Sequence, residues 1–277
     1  MNYIKQNNKL IIYSKEEFNL THILECGQVF SYKKNDSSYE VYSKDKRAIA
    51  NENDKYIEII SNDIEYFENY FDLNTNYSVI KKQLIKSHNY LKEAIIFGSG
   101  IRILKQDPFE TIISFIISAN NNIKRIQKIL FAIRERFGKN KGDYFAFPTI
   151  KQLQKASEQD FKNLGAGYRA KYLVNACKYL SESLINKMKL LNTHDLNIEL
   201  LKIMGVGQKV ADCIMLFAFG KQDVFPVDTW IEKVYNTYYE EEHNRKNIRL
   251  SLLQKFGNYS GYAQQYFFYS QRSNIIK

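Results

Sequence analysis

A chain of 277 residues, 44% of them hydrophobic and 25% charged, is long enough for one large core or two to three smaller ones. No apolar run approaches the roughly 18 residues that span a bilayer, and the opening MNYIKQNNKLIIYSKEE lacks the apolar centre and cleavage site of a signal peptide, so no membrane partner and a cytoplasmic location are expected. The formal net charge is +10, yet residues 1–100 carry 13 Lys/Arg against 14 Asp/Glu while residues 101–277 carry 27 against 16.

An excess confined to the second part fits a polyanion, nucleic acid first of all. A general bias toward Lys, Asn, Ile and Tyr is the plainer explanation, but it would not spare the first hundred residues. Cys26, Cys177 and Cys213 are too few and too far apart for a four-cysteine iron–sulfur or zinc site, and their odd number argues against a disulfide framework. They read as free thiols in a reducing compartment.

Along the chain, the first sixty residues read as β. Lys9–Tyr13, Val29–Lys33, Tyr39–Ser43 and Tyr56–Ile60 are short runs of β-formers separated by polar clusters. From Asp63 the pattern turns helical, with Ile64, Phe67, Tyr70 and Phe71 on one stripe. Asp107-Pro108 suits a helix start, and Phe109–Ser118 is apolar nearly throughout, as in a helix buried on all sides. Helical pattern continues to the end. The pattern predicts an α+β protein: an N-terminal antiparallel β-sheet domain with flanking helices over residues 1–95, then two packed helical subdomains over 96–277. No long linker separates them.

The most telling segment is Leu200–Trp230, LLKIMGVGQKVADCIMLFAFGKQDVFPVDTW. Gly205 and Gly207 interrupt apolar helical pattern on both sides, predicting a helix-hairpin-helix at about 196–220 with the second helix starting at or near Gln208. Glycines permit a tight turn and close approach of backbone amides to a phosphate, and the helix N-terminus adds its free N–H groups and dipole. Lys209 stands in that first turn, where a cation is ordinarily disfavoured. A weaker copy, Leu164-Gly165-Ala166-Gly167-Tyr168-Arg169-Ala170, precedes it by forty residues; two glycine-rich helix connections explain it equally well.

The hairpin together with Pro226-Val227-Asp228 resembles the helix-hairpin-helix, Gly/Pro-Asp superfamily of base-excision DNA glycosylases, and within it the 8-oxoguanine DNA glycosylase/AP lyase branch. The resemblance rests also on Gly27-Gln28-Val29-Phe30, Gln106-Asp107-Pro108, Ser118–Ile123, Gly167–Ala170 and Gly261-Tyr262-Ala263-Gln264, and so runs through about the whole chain. It implies a monomer acting on double-stranded DNA that contains oxidised guanine.

The resemblance makes Lys209 the nucleophile that attacks C1′ of the deoxyribose, with burial beside a helix N-terminus expected to lower its pKa; a lysine contacting phosphate is the plainer alternative. Asp228 would stabilise the cationic sugar and deprotonate the lysine, and it is also a normal helix cap. Cys213, one turn beyond Lys209, and Phe268 would sandwich the extruded purine, although a buried cysteine is more often plain core. Gln264 would read the Watson–Crick edge. The Gly27 carbonyl would accept from N7–H of 8-oxoguanine, a donor that guanine lacks, unless Gly27 is only a turn before a strand.

For the DNA, the resemblance implies that Asn120 fills the hole left by the flipped base, with Asn122 beside it or serving as a helix cap. Tyr168 would wedge the stack, and Arg125 and Arg169 would hydrogen-bond the orphaned cytosine. Gly205, Gly207, Gln208 and Val210 would contact phosphate through the hairpin. Some bacterial members lack the arginine at the Arg125 position, so its presence predicts a preference for cytosine. Met204 and Trp230 depart from the proline and histidine common in the family, and Trp230 puts a phosphate contact in doubt. No cofactor or metal is expected, though hairpin backbone carbonyls could seat a cation. Two other functions stay open: a glycosylase for another lesion, and a hairpin protein that binds DNA without cutting it.

Overall fold

The structure, a computed structural model, describes residues 1–239 and 241–273. Strands β1 (Tyr3–Gln6), β2 (Lys9–Ile12), β3 (Tyr32–Lys34), β4 (Ser38–Ser43), β5 (Lys46–Glu52) and β6 (Ile57–Ser61) form one antiparallel sheet in the order β1-β2-β6-β5-β4-β3. Its register aligns Leu10 with Ile59, Ile59 with Ala50 and Ala50 with Tyr39. All four side chains are buried, as expected of same-face neighbours across a pleated sheet. Helices α1 (Leu20–Leu24) and α2 (Ile64–Tyr70) close that face with Phe18, Phe67 and Phe71.

Two strands escape the sequence pattern. β1 buries no residue fully and so carries no apolar alternation; β5 faces the core with Ala48 and Ala50, small residues with little β preference. The expected strand Val29–Lys33 begins only at Tyr32. Before it, the wholly buried Gln28 donates to the Ile23 and Arg102 carbonyls (2.8 Å each) and accepts from the Leu104 amide (2.9 Å). Those bonds take the place of a strand ladder.

The remaining helices are α3 (Tyr77–Ser87), α4 (Lys92–Phe97), α5 (Pro108–Ser118), α6 (Ile123–Phe137), α7 (Ile150–Leu153), α8 (Glu158–Asn163), α9 (Ala170–Tyr179), α10 (Glu182–Leu190), α11 (Thr193–Leu201), α12 (Gln208–Phe219), α13 (Thr229–Tyr238), α14 (Arg245–Phe256) and α15 (Ser260–Arg272). They make two lobes. One core joins α5 through α12. The other joins α3 and α4 to α13, α14 and α15. The division expected at residue 95 therefore cuts through a core: α3 and α4, assigned by position to the β domain, bury Ile80, Leu84 and Ile95 against the C-terminal helices.

Helix α5 is the hub. Asp107 caps it, accepting from the Glu110 amide (3.0 Å), and Pro108 occupies the first turn. It is buried from Pro108 to Ile117. Glu110 ties the sheet to the lobe, accepting from Ser31 Oγ (2.6 Å) and the Lys44 amide (2.8 Å) while pairing with the buried Arg134 guanidinium of α6.

Candidate active site

Helices α11 and α12 form the expected hairpin, with α12 starting at Gln208. Gly205 adopts φ +88°, and a Cβ there would lie 2.7 Å from the Tyr172 ring, so both conformation and packing demand glycine. Gly207 differs: its φ is −92° and an added Cβ would meet nothing. The fold leaves its place open to an approaching backbone. No side chain caps α12, whereas Ser181, Asn192, Asp228 and Asn244 cap α10, α11, α13 and α14. The first-turn amides of α12, Val210 among them, are left for an outside acceptor. The weaker copy matches at its first glycine, Gly165 (φ +90°), and differs after it, where a short 3-10 turn at Gly167–Arg169 precedes α9.

Lys209 is half-buried, its Nζ 5.8 Å from the centre of the Phe115 ring on α5. Phe115 in turn meets Phe30 edge-on (5.6 Å) and stacks on Phe217 (5.6 Å). The Gly-Gln-Val-Phe segment and the hairpin thus reach one ring, whose place in the site the sequence did not signal. The expectation of a lowered lysine pKa is not met. Attraction to the Cys213 sulfur, and then to Asp228, holds Lys209 above its ordinary value against the opposing effect of burial. Burial pushes the Cys213 thiol itself up to about 11. Asp228, at the start of α13, adds to the attraction on the lysine by less than burial takes away.

Asp228 caps α13, its Oδ1 accepting from the amides of Trp230 (3.0 Å) and Ile231 (3.1 Å). Trp230 carries the Lys233 ammonium over its ring at 5.1 Å. Gly261 lets α15 close on α12: a Cβ there would lie 2.4 Å from Leu216 Cδ1, and the Gly261 amide donates to the Gln222 carbonyl (2.8 Å). Next along α15 stands Gln264, 5% exposed, whose Oε1 has no hydrogen-bond partner among the described residues. An orphaned buried acceptor costs about 1–3 kcal/mol, so a donor from a ligand is the natural complement. One turn on, the Phe268 ring lies against Gly27 (φ +87°): a Cβ on Gly27 would sit 3.0 Å from Phe268 Cε1 and 3.0 Å from Arg272 Nη1. Gly27 is held by Gln265, which donates to the Cys26 carbonyl (3.1 Å).

The second group of residues gathers at the α5–α6 turn. Asn120 is exposed with φ +50°, and Asn122 is the cap of α6, accepting from the Arg125 amide (3.0 Å). Tyr168 is 54% exposed, with the Arg169 guanidinium 4.4 Å from its ring centre. Arg169 is buried and donates to the carbonyls of Ala119 (2.8 Å from Nε) and Asn120 (2.6 Å from Nη2). In the DNA-free chain it braces the turn rather than standing free for a base. Arg125 is exposed, its Nη2 donating to the Gly165 carbonyl (3.1 Å).

Gln208 spends its side chain internally, on Asn197 (2.8 Å) and on Asp212 (3.0 Å). Asp212, wholly buried, accepts two bonds from Arg249 of α14, at 2.6 and 2.8 Å. A carboxylate inside the apolar run of α12 was a signal of this network; its partner, 37 residues on, had none. Among the described residues no group of three or more His, Cys, Asp or Glu side chains could share a metal ion, and no helix is long and apolar enough to cross a membrane. Cys26, Cys177 and Cys213 are free and buried.

An uncapped hairpin helix carrying a lysine, with an aspartate downstream, defines a helix-hairpin-helix protein. The comparisons sharpen that class. Residues 10–112 match the model for the 8-oxoguanine DNA glycosylase N-terminal domain, and residues 113–257 match that for the HhH-GPD superfamily of base excision DNA repair proteins. The chain belongs to the 8-oxoguanine DNA glycosylase/DNA lyase family of that superfamily. A Clostridium acetobutylicum 8-oxoguanine glycosylase/lyase, crystallised with double-stranded DNA containing cytosine opposite 8-oxoguanine, is similar with a TM-score of 0.92 at 40% identity, over 100% of this chain and 99% of that one. A probable N-glycosylase/DNA lyase of Methanothermobacter thermautotrophicus is 30% identical over 77% of this chain and 75% of its own. An N-glycosylase/DNA lyase of Saccharomyces cerevisiae is 32% identical over 60% of this chain and 55% of its own, so the chain spans about half the length of that curated relative.

Proposed function

We propose that this chain is a monomeric, cytoplasmic, bifunctional DNA glycosylase/AP lyase that removes 8-oxoguanine from duplex DNA. The single observation that carries the reading is that one chain presents a lysine at the uncapped start of α12 and, on α15, a buried glutamine acceptor without a partner among the described residues. The α12 amides take a backbone phosphate, Asn120 and Tyr168 occupy the gap in the stack, and the damaged nucleotide turns out toward Cys213 and Phe268. Gln264 bonds its Watson–Crick edge, and the Gly27 carbonyl accepts N7–H.

Asp228 takes a proton from the Lys209 ammonium. The freed amine bonds to C1′ as the N-glycosidic bond breaks, and that bond's electrons leave with the base, which takes up the proton held by Asp228. Loss of the ring oxygen from C1′ gives the imine; removal of a C2′ proton then expels the 3′ phosphate and cuts the strand. Asp228 also offsets the positive charge that builds on the sugar. Amine and carboxylate suffice, so the reaction as proposed uses no cofactor.

The test is single-turnover cleavage of duplexes with 8-oxoguanine opposite each of the four bases, beside undamaged guanine. Cleavage of 8-oxoguanine opposite cytosine with guanine left intact is expected, and Arg125→Ala is expected to lose the preference for cytosine. Binding without cleavage would leave a hairpin protein that only holds DNA.

A further inference from the structure

The Asp212–Arg249 pair is not used by the chemistry above, yet it borders the nucleophile. A cavity of about 380 Å³ between α12 and α14 is lined by Lys209, Asp212, Arg245, Lys246 and Arg249. Lys209 and Asp212 are three residues apart on one helix, neighbouring positions on its surface. Left unpaired, the Asp212 carboxylate would compete with Asp228 for the lysine's ammonium. Arg249 prevents this with two charge-assisted hydrogen bonds at 2.6 and 2.8 Å, and Gln208 adds a third at 3.0 Å. We propose that Arg249 is a positioning residue for Lys209, neutralising Asp212 so that the lysine's proton is left to Asp228.

The groups facing Lys209 support this assignment. On its own helix the Cys213 sulfur acts on Lys209, and from the start of α13 Asp228 does; from α5 comes the uncharged ring of Phe115, and Asp212 lines the same cavity. Across the cavity, Arg245 is held by Glu232 at 2.9 Å and Lys246 is exposed. Arg249, with an 18% exposed side chain, is the cation bonded to the wholly buried Asp212. Two unit charges about 6 Å apart at an effective dielectric near 20 move a pKa by about two units. The sign then depends on which partner is removed.

The proposal rests on the glycosylase/lyase reading and is tested by borohydride trapping on an abasic-site duplex, which bypasses base recognition, between about pH 5 and 10. Arg249→Met is expected to shift the alkaline-rising limb of trapping up by about one to two pH units, with a roughly 10- to 100-fold loss at neutral pH. Asp212→Asn, which uncovers the guanidinium instead, is expected to shift it down. The double variant returns toward the wild-type profile and Arg249→Lys retains it. Opposite shifts are beyond a purely structural role, which would lower the melting temperature of both single variants without moving either profile. An unmoved profile in either foldable single variant, as when an unpaired Asp212 simply takes up a proton, or shifts of the same sign, overturns the proposal. Failure of the wild type to trap at any pH would sink the lyase reading itself.

Discussion

Gly27 and Phe268, 241 residues apart in the chain, lie in contact: a single methyl on Gly27 would stand 3.0 Å from Phe268 Cε1. The backbone there is left-handed at φ +87°, so a side chain is opposed both by the ring and by the conformation. Gly27→Ala is expected to lower excision of 8-oxoguanine by at least about 10-fold while cleavage at a preformed abasic site stays near wild type, because the lysine is untouched. Parallel single-turnover assays on the two substrates check this; an equal loss on both would mean that Gly27 serves the fold and not the base.

Asp228 joins a cap and a charge in one side chain. Asn caps a helix about as well as Asp, so Asp228→Asn is expected to keep the unfolding midpoint while strand cleavage falls by about 10²–10³. Asp228→Ala is expected to lose about 1 kcal/mol of stability as well. Thermal melts beside cleavage rates separate the roles, and full activity in Asp228→Asn would reduce this residue to its cap.

The Glu110–Arg134 pair is wholly inside, with Arg134 only 2% exposed. Burial raises the Glu110 carboxyl despite the guanidinium beside it, which marks a charge held in place by its partner. Arg134→Met is expected to cost about 3–5 kcal/mol in urea unfolding at neutral pH, by stranding the carboxylate. The paired change Arg134→Met with Glu110→Gln should cost clearly less; an equal or larger cost in the double variant would contradict the account.

Much of this arrangement was legible in the sequence, and the reasons are local. Asp107-Pro108, the Gly-Val-Gly turn and the apolar run of α5 each dictate their own backbone, and the structure places them where the pattern did. Gly261 belongs to a motif whose purpose shows only in three dimensions, as the gap that admits Leu216 of α12 against α15. Illegible were the relationships that need a distant partner: Phe115 beneath Lys209, Arg249 on Asp212, and the internal bonds that occupy Arg169. The lysine's pKa was misjudged because burial was weighed without the Cys213 sulfur and Asp228.

His22 accepts from the Gly100 amide through Nδ1 (3.3 Å) and packs on Tyr269, with ring centres 5.5 Å apart. Burial lowers its pKa below 6.5, so the folded chain binds fewer protons than the unfolded one as pH passes that value. Its contribution to stability is present above pH 6.5 and is lost as pH falls through the lowered folded value. Melting temperatures compared above and below that window are expected to drop with acid more steeply in the wild type than in His22→Gln; parallel slopes would exclude His22 as a source.

The most direct test of the central claim is to identify the atom that joins the protein to DNA. The wild type, incubated with a duplex carrying 8-oxoguanine opposite cytosine and reduced with borohydride, should give a covalent adduct. Peptide mapping should place it on Lys209, and Lys209→Gln should give none while still binding the duplex. An adduct that persists in Lys209→Gln or maps to another amine, or strand cleavage with no adduct at all, would contradict the account.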